Sequence, residues 1–133
     1  MQLVVLGLNH RSAAVEVRER FSFEKNEVES ALNRLYEYEK ISECVILSTC
    51  NRTEIYAVLE DVQSPKAYML DVLKHLKHAD TIDESAFFFY EEKACIEHLF
   101  RVSASLDSLV LGEGQILSQL KGAYIAAYSA GFT

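Results

Sequence analysis

The sequence predicts an α+β fold, in which a ferredoxin-like β-α-β-β-α-β unit with an antiparallel sheet is followed by C-terminal helices. Short apolar runs with strand character alternate with stretches whose apolar residues recur at helical spacing, in the order that this unit requires. From Glu92 onwards helical spacing predominates. Because 50% of the 133 residues are apolar, the chain can bury one core. We expect one domain over residues 1–133, with a sheet part over residues 1–91 and a helical part over residues 92–133.

The first strand and the first helix are expected within residues 1–39. Leu3 to Asn9 is an apolar run of strand length. A helix is expected from about Glu24 to Glu39, and Ser22 is placed to cap it. Apolar residues at i, i+3, i+4 and i+7 give this helix one buried face, formed by Val28, Ala31, Leu32 and Leu35.

A hairpin and a second helix follow. Residues 43–49 and 53–60 have strand character, and polar turn formers separate them. Ser64 and Pro65 offer an N-cap and a first-turn proline, which predicts a helix from there to about Lys77. Its apolar stripe consists of Met69, Val72, Leu73 and Leu76.

The rest of the chain supplies the last strand and the helical part. The phenylalanine-rich residues 86–90 predict a fourth strand. Two helical segments follow, joined by an ordered loop over residues 107–115, and the second segment ends at about Ser129. Their apolar faces are Cys95, Leu99, Val102 and Leu106 in the first, and Ile116, Leu120, Ala123 and Ala127 in the second.

Composition and spacing exclude several classes of protein. No apolar run approaches the ~20 residues of a membrane span and no basic leader precedes Leu3, so we expect a cytoplasmic protein with no membrane partner. The net charge of -7 argues against an independent, nonspecific nucleic-acid binder. Cys44, Cys50 and Cys95 lack the spacing of a zinc site or a disulfide framework. No G-x-G-x-x-G motif marks a dinucleotide site, so neither a metal site nor a cofactor site is expected in this chain.

The strongest candidate for chemistry is Cys50, at the predicted tip of the hairpin. Thr49 and Asn51 flank it, and Arg52 lies two residues away. A free cysteine has a pKa of about 8.5, and a nearby cation lowers it toward roughly 7, which favours the nucleophilic thiolate. The alternative is a small, inert packing residue at a strand end, the usual place of an intracellular cysteine.

Three segments together resemble one family, the glutamyl-tRNA reductases that begin tetrapyrrole synthesis in bacteria, archaea and plants. The segments are GLNHRSAAVEVRE at residues 7–19, LSTCNRTEIY at residues 47–56 and HLFRVSASLDSLVLGEGQIL at residues 98–117. The sequence departs from the family pattern at Ala14, where proline is common, and Gly114 lies at a variable position. Family members continue into an NADPH-binding domain and a dimerisation domain that this chain lacks. The resemblance therefore implies an excised N-terminal catalytic domain.

The resemblance also implies a reaction. In the family a cysteine, here Cys50, attacks glutamyl-tRNA to give a thioester. NADPH, bound by the domain absent from this chain, then reduces the thioester to glutamate-1-semialdehyde in the first step of 5-aminolevulinate biosynthesis. Sulfur suits both steps, because a thioester is less resonance-stabilised than an ester and accepts hydride more readily. Homodimerisation through an absent domain and channelling of the product to glutamate-1-semialdehyde aminomutase are the implied partnerships.

The site residues implied by the resemblance extend beyond Cys50. His98 occupies the family's functional histidine position, although a partly buried histidine bonded to a backbone carbonyl would show the same local pattern. Arg52 suits a substrate carboxylate, because a guanidinium offers a bidentate fork. An exposed polar face would explain the i, i+4 spacing of Gln115 and Gln119 equally well. The residues that match the family's glutamate-binding positions are Thr49, Asn51, Arg52, Ser108, Glu113, Gly114, Gln115 and Gln119.

Two other functions remain open at this point. A cysteine-dependent thioesterase would use Cys50 and His98 as nucleophile and base and let water finish the reaction. A non-catalytic ferredoxin-like binding module would favour a buried, unreactive Cys50. The acidic charge balance requires that tRNA contacts come from a local basic surface near the Cys50 tip or from the absent domains.

Overall fold

The structure is a computed structural model that describes the backbone of residues 1–105 and the side chains of residues 1–102. The strands are β1 (Gln2–Asn9), β2 (Ile41–Ser48), β3 (Arg52–Leu59) and β4 (Phe88–Glu91). The α-helices are α1 (Val15–Phe21), α2 (Lys25–Tyr36), α3 (Pro65–Lys77) and α4 (Glu92–Ser105), and a short 3-10 turn covers Glu84–Ala86. None of the helices in this part of the chain is long and apolar enough to cross a membrane.

The four strands form one antiparallel sheet in the order β2-β3-β1-β4. β1 and β3 lie at the centre, where both neighbours satisfy their backbone groups, and this explains their uninterrupted buried residues. With α2 and α3 as the crossover helices, the arrangement confirms the predicted ferredoxin-like α+β fold. The second predicted C-terminal helix, over residues 116–129, lies outside the described residues.

The sheet buries both of its faces. Even-numbered β1 residues such as Val4 and Leu6 pack with α2 and α3, and odd-numbered ones such as Leu3 and Val5 pack with Cys95 and Leu99 of α4. The period of two along a strand separates these two layers. The predicted stripes of α2 and α3 thus belong to one core, and Cys95 and Leu99 of the predicted α4 face belong to the other. Leu106 of that face lies outside the described residues.

The segment between β1 and α2 differs from the prediction. Residues 15–21 form the short helix α1, whose seven residues are too few for a periodic signal. Ser22 does not cap α2, because its hydroxyl donates to the Glu19 carbonyl instead. The N-cap is Glu24, which forms a capping box with Glu27. α2 also ends at Tyr36, before the predicted Glu39.

Candidate active site

One end of the sheet gathers the segments that the sequence marks as chemical. β1 ends there at Asn9, which pairs with Arg52 at the start of β3. β4 begins there too, because Phe88 pairs with Gly7. α4 starts at the opposite end of β4 and packs back along β1, which brings His98 to the same region. Four separate elements therefore meet at this end of the sheet.

The β2–β3 turn carries Cys50 at its tip. The Thr49 amide donates to the Arg52 carbonyl at 2.8 Å, and Thr49 Oγ1 accepts from the amides of Asn51 and Arg52 at 3.2 Å each. Thr49 thus ties the turn together from within, as Ser and Thr side chains do in turns. The Cys50 side chain is exposed, so the turn presents the thiol to solvent.

The other two thiols are buried in apolar surroundings. Cys44, on β2, packs in the core between the sheet and the helices α2 and α3. Cys95, on α4, packs in the core on the other face of the sheet. Burial raises the pKa of Cys44 to about 11, against a smaller lowering by its hydrogen bond with Tyr36. Burial, with the nearby charges of Glu54 and Glu92, also raises the pKa of Cys95. Both stay protonated at neutral pH, which leaves Cys50 as the accessible cysteine.

A buried carboxylate, Glu54, organises the residues beneath the turn. Its Oε2 accepts hydrogen bonds from Arg52 Nη1 at 2.8 Å and from His98 Nε2 at 2.9 Å. Its Oε1 accepts from the Tyr56 hydroxyl at 2.5 Å. The Glu54 side chain is 0% exposed, so this charge is held away from water by three donors.

The partners keep Glu54 ionised despite its burial. Burial by itself would raise the pKa of Glu54, but the hydrogen bonds from His98 and Tyr56, together with the charges of His98 and Arg52, lower it below its ordinary value. The same arrangement raises the pKa of Tyr56, through burial first and the adjacent carboxylate second. The Tyr56 hydroxyl therefore stays a donor, and Glu54 stays an acceptor.

His98 is held from three sides. Its ring lies 4.8 Å from the Phe88 ring and 5.1 Å from the Tyr90 ring, centroid to centroid. Because the Glu54 carboxylate only accepts, Nε2 carries the proton of this hydrogen bond, and in the neutral ring Nδ1 is then the acceptor. The hydrogen-bond partner of His98 is thus a carboxylate, and not the backbone carbonyl that the sequence left open.

A cavity of about 580 Å³ opens at this end of the sheet. It is lined by residues from the end of β1 and the loop after it, from the start of β3, from β4 and from α4. Three arginines and two histidines are among them, and none of the described lining residues is acidic. The lining residues are Asn9, His10, Arg11, Ser12, Arg52, Phe88, Tyr90, His98, Arg101 and Val102.

The structure brings together some of the residues that the sequence singled out. Arg52 and His98 share the cavity and the Glu54 carboxylate. Thr49, Cys50 and Asn51 form the adjacent turn, and their side chains are not among the described lining residues. The other predicted positions, Ser108, Glu113, Gly114, Gln115 and Gln119, lie outside the described residues.

Sequence reasoning gave no role to Glu54 or Tyr56, although both stand in the quoted segment around Cys50. Strand alternation was the available signal, because Arg52, Glu54 and Tyr56 are spaced by two and must share one face of β3. A glutamate within a buried strand also needs a partner. His10 and Arg11, which the sequence left without a role, line the cavity.

The described residues offer no evident place for a dinucleotide or a metal ion. Their single glycine, Gly7, lies within β1, so residues 1–105 contain no glycine-rich turn at a helix N-terminus to receive a pyrophosphate. No three His, Cys, Asp or Glu side chains in this part of the chain are grouped to hold a metal. We therefore assign no dinucleotide contact to residues 1–105.

Comparisons with known proteins point to one family. A family model described as "Glutamyl-tRNAGlu reductase, N-terminal domain" matches residues 6–133. The glutamyl-tRNA reductase of Bacillus subtilis is 42% identical over 128 residues, which cover 96% of this chain and 28% of that protein. That of Synechococcus sp. (strain RCC307) is 48% identical over 125 residues, 93% of this chain and 28% of that protein.

A solved structure is similar as well. "Glutamyl-tRNA Reductase from Methanopyrus kandleri" matches with a TM-score of 0.52 and 32% identity. The match covers 97% of this chain and 29% of that one. The chain thus spans less than a third of the length of these relatives.

Proposed function

The chain belongs to the glutamyl-tRNA reductase N-terminal domain family, and we propose that it is the catalytic domain that captures glutamate from glutamyl-tRNA as a thioester on Cys50. The observation that carries the proposal is the exposure of Cys50 beside a cationic cavity, while Cys44 and Cys95 are buried. An exposed thiol on a turn that is tied by Thr49 is placed for attack on a large substrate. A non-catalytic binding module would have favoured a buried Cys50, and Cys50 is exposed.

The proposed first step exchanges an oxygen ester for a thioester. The Cys50 thiolate attacks the carbonyl carbon of the glutamyl ester, a C–S bond forms, and the C–O bond to the terminal ribose breaks. The ribose hydroxyl leaves with one proton, which the thiol has given up. A group in the cavity has to carry this proton, and an imidazole suits the task because its charge changes near neutral pH.

We assign that proton transfer to His98 and give Glu54 a positioning role. Glu54 holds the proton on Nε2, so Nδ1 of the neutral ring is free to accept a proton and return it. The Glu54 carboxylate, whose pKa is lowered by its partners, also fixes the orientation of the ring through this hydrogen bond. Phe88 and Tyr90 keep the ring in place.

Arg52 is proposed to bind the side-chain carboxylate of the glutamyl group. It lines the cavity, and among the described residues only Nη1 of its guanidinium has a hydrogen-bond partner, Glu54. The remaining N–H groups of the guanidinium can take a carboxylate in a bidentate fashion. Thr49 and Asn51, with Ser108, Glu113, Gly114, Gln115 and Gln119, complete the proposed glutamate-binding set.

The later part of the reaction is assigned outside the described residues. Hydride from NADPH, which we place outside the described residues, would reduce the thioester carbon and release the Cys50 thiolate and glutamate-1-semialdehyde. We place this step at the start of 5-aminolevulinate synthesis, in the cytoplasm. The dimer and the transfer of product to glutamate-1-semialdehyde aminomutase belong to the same proposal.

Mass spectrometry of the chain after mixing with glutamyl-tRNA tests the proposed step. We expect one glutamyl adduct, sensitive to hydroxylamine, on the peptide that contains Cys50, and none in Cys50→Ser. An adduct on Cys44 or Cys95, or no adduct at all, would refute the proposal. Rapid, repeated release of free glutamate without NADPH would instead support the thioesterase alternative.

A further inference from the structure

We propose that Arg11 and Arg101, at the rim of the cavity, bind the phosphodiester backbone at the single-stranded 3′ end of the tRNA and so deliver the glutamyl ester to Cys50. This inference rests on the proposed function, since it concerns how the same site holds its substrate. It assigns a task to two cavity residues that the catalytic chemistry does not use.

The charge of the cavity is the first observation behind the proposal. The chain has 20 acidic and 13 basic residues, yet the described lining residues include three arginines and no carboxylate. Glu54, which is buried and is not among the described lining residues, offsets the charge of Arg52. Arg11 and Arg101 have no carboxylate within salt-bridge distance among the described residues, so the rim keeps two positive charges.

The second observation is the division of the cavity into a deep part and a rim. The side chains of Arg52 and His98 are only 16% and 9% exposed, and both contact Glu54. Arg11 and Arg101 are exposed. A substrate bound in the cavity would therefore place its terminal glutamyl group against the buried pair and a phosphate of its strand against the rim arginines.

Both rim arginines stand on fixed backbone. Asn9 Oδ1 accepts hydrogen bonds from the amides of Arg11 and Ser12 at 2.9 and 3.1 Å, which fixes the loop after β1. Arg101 follows His98 by three residues on α4, so the two side chains lie on one side of the helix. The rim thus approaches a ligand from two elements, and guanidinium groups match phosphate oxygens in pairs.

The size and the aromatic content of the cavity favour a single-stranded end over a duplex. A volume of about 580 Å³ is in the range of small-molecule sites, so it accepts an aminoacyl nucleoside and excludes an RNA helix. Phe88 and Tyr90 are half-buried in its wall, where a terminal base can stack. Contacts to phosphates hold such a strand in position without reading its sequence.

Substrates with and without the phosphate test the proposal. Acylation of Cys50 is timed by mass spectrometry with adenosine esterified by glutamate at its 3′ position, and with the same ester carrying a 5′-phosphate. The quantity measured is the ratio of the two rates, which cancels any general loss of folding. In the wild-type chain the phosphate should accelerate acylation.

In Arg11→Ala and in Arg101→Ala we expect this ratio to fall about tenfold, because each variant loses a charge-assisted contact to the phosphate. Arg20→Ala is the matched control: Arg20 is exposed, its guanidinium contacts the Thr81 carbonyl, and it does not line the cavity. With intact glutamyl-tRNA, each rim variant should also reduce the slope of log rate against log salt by about 0.7.

An unchanged ratio in both rim variants would overturn the proposal, as would an equal fall in Arg20→Ala. If the wild-type chain acylates with none of the substrates, the proposed function fails, and binding decides the inference by itself. The chain should then still bind an uncharged CCA trinucleotide, measured by fluorescence anisotropy, more tightly than the two rim variants do. Equal binding by all variants would refute the rim site.

Discussion

At the scale of single residues, accessibility separates the three cysteines more sharply than any feature of their local sequence. Cys44 and Cys95 lie on opposite faces of the sheet, each within a core, while Cys50 lies at the tip of the β2–β3 turn. Iodoacetamide at neutral pH should therefore label Cys50 in the folded chain well before the other two. Peptide mapping after timed labelling measures this, and labelling in denaturant is the control in which all three should react. Equal rates in the folded chain would contradict it.

Arg52 also acts at this scale, because it has to satisfy the buried Glu54 and a substrate at once. Arg52→Lys keeps the charge but loses the bidentate fork, so we expect Cys50 acylation to slow about tenfold or more with lysine as with alanine. Single-turnover acylation by glutamyl-tRNA measures this, with near-UV circular dichroism as the control for folding. Wild-type rates in Arg52→Lys would show that charge alone matters. Wild-type rates in Arg52→Ala would remove Arg52 from the site.

At the scale of elements, β1 has to let its neighbours approach closely at Gly7. A Cβ at this position would lie 2.7 Å from Phe88 Cζ, 2.8 Å from the Thr53 carbonyl oxygen and 2.9 Å from Glu54 Cγ. Phe88 and Glu54 are two of the three residues that hold His98. β1 therefore has no side chain at the point where Phe88 and Glu54 both approach its backbone.

Gly7→Ala should consequently cost about 1 to 3 kcal/mol of unfolding free energy, the usual range for overpacking, and slow acylation of Cys50. Urea unfolding and the acylation assay measure the two effects. The Cys50→Ser variant is the control for stability, because its exposed side chain should leave the urea midpoint close to that of wild type. A Gly7→Ala chain as stable as wild type would show that β1 and β4 can separate at no cost.

The start of α1 carries the departure from the family pattern noted in the sequence. Ala14 is the N-cap of α1 and has φ −67°, the value that a proline ring imposes. Ala14→Pro should therefore raise the unfolding free energy by about 0.4 to 1 kcal/mol, mainly by restricting the unfolded chain. Thermal or urea unfolding measures it, and Ala14→Gly, which frees the unfolded chain, should shift stability the opposite way. A loss of stability in Ala14→Pro would contradict this account.

At the scale of the whole molecule, Glu54 links the stability of the fold to pH. The pKa of Glu54 is lower in the folded chain than in the unfolded chain, so the folded chain keeps this carboxylate ionised to a lower pH. The stabilisation is therefore fully present above the ordinary glutamate pKa of about 4.3 and is lost as the pH falls through the lower folded value. We expect the unfolding free energy to drop below about pH 5.

Glu54→Gln should remove that part of the acid dependence and lower stability at pH 7 by about 3 to 5 kcal/mol, as the loss of one partner from a buried charge network does. Urea unfolding between pH 3 and 7 measures both changes. Glu29→Gln is the matched control, since Glu29 is exposed on α2. If the unfolding free energy of Glu54→Gln fell between pH 7 and 3 by as much as that of the wild type, other carboxylates would control the acid dependence.

The sequence by itself determined the order of the four strands and of α2, α3 and α4, with boundaries within about three residues, but it did not reveal α1. Apolar periodicity is local, so a strand at residues 3–9, observed at residues 2–9, and the helix that begins at Pro65 were predictable from their own residues. The β2–β3 turn with Cys50 at its tip was predictable as well, because polar turn formers interrupt two strands. The sheet order followed from the element order through the few topologies that short connections allow.

Only the tertiary structure decided which side chains meet. Glu54 and His98 are 44 residues apart in the chain. Their contact depends on the packing of α4 against the face of the sheet on which Tyr56 lies. The cavity likewise joins a loop, two strands and a helix, so its cationic lining is visible only after folding. The physical reason is that a charge buried away from water must find its donors wherever packing brings them, and no local pattern records where that is.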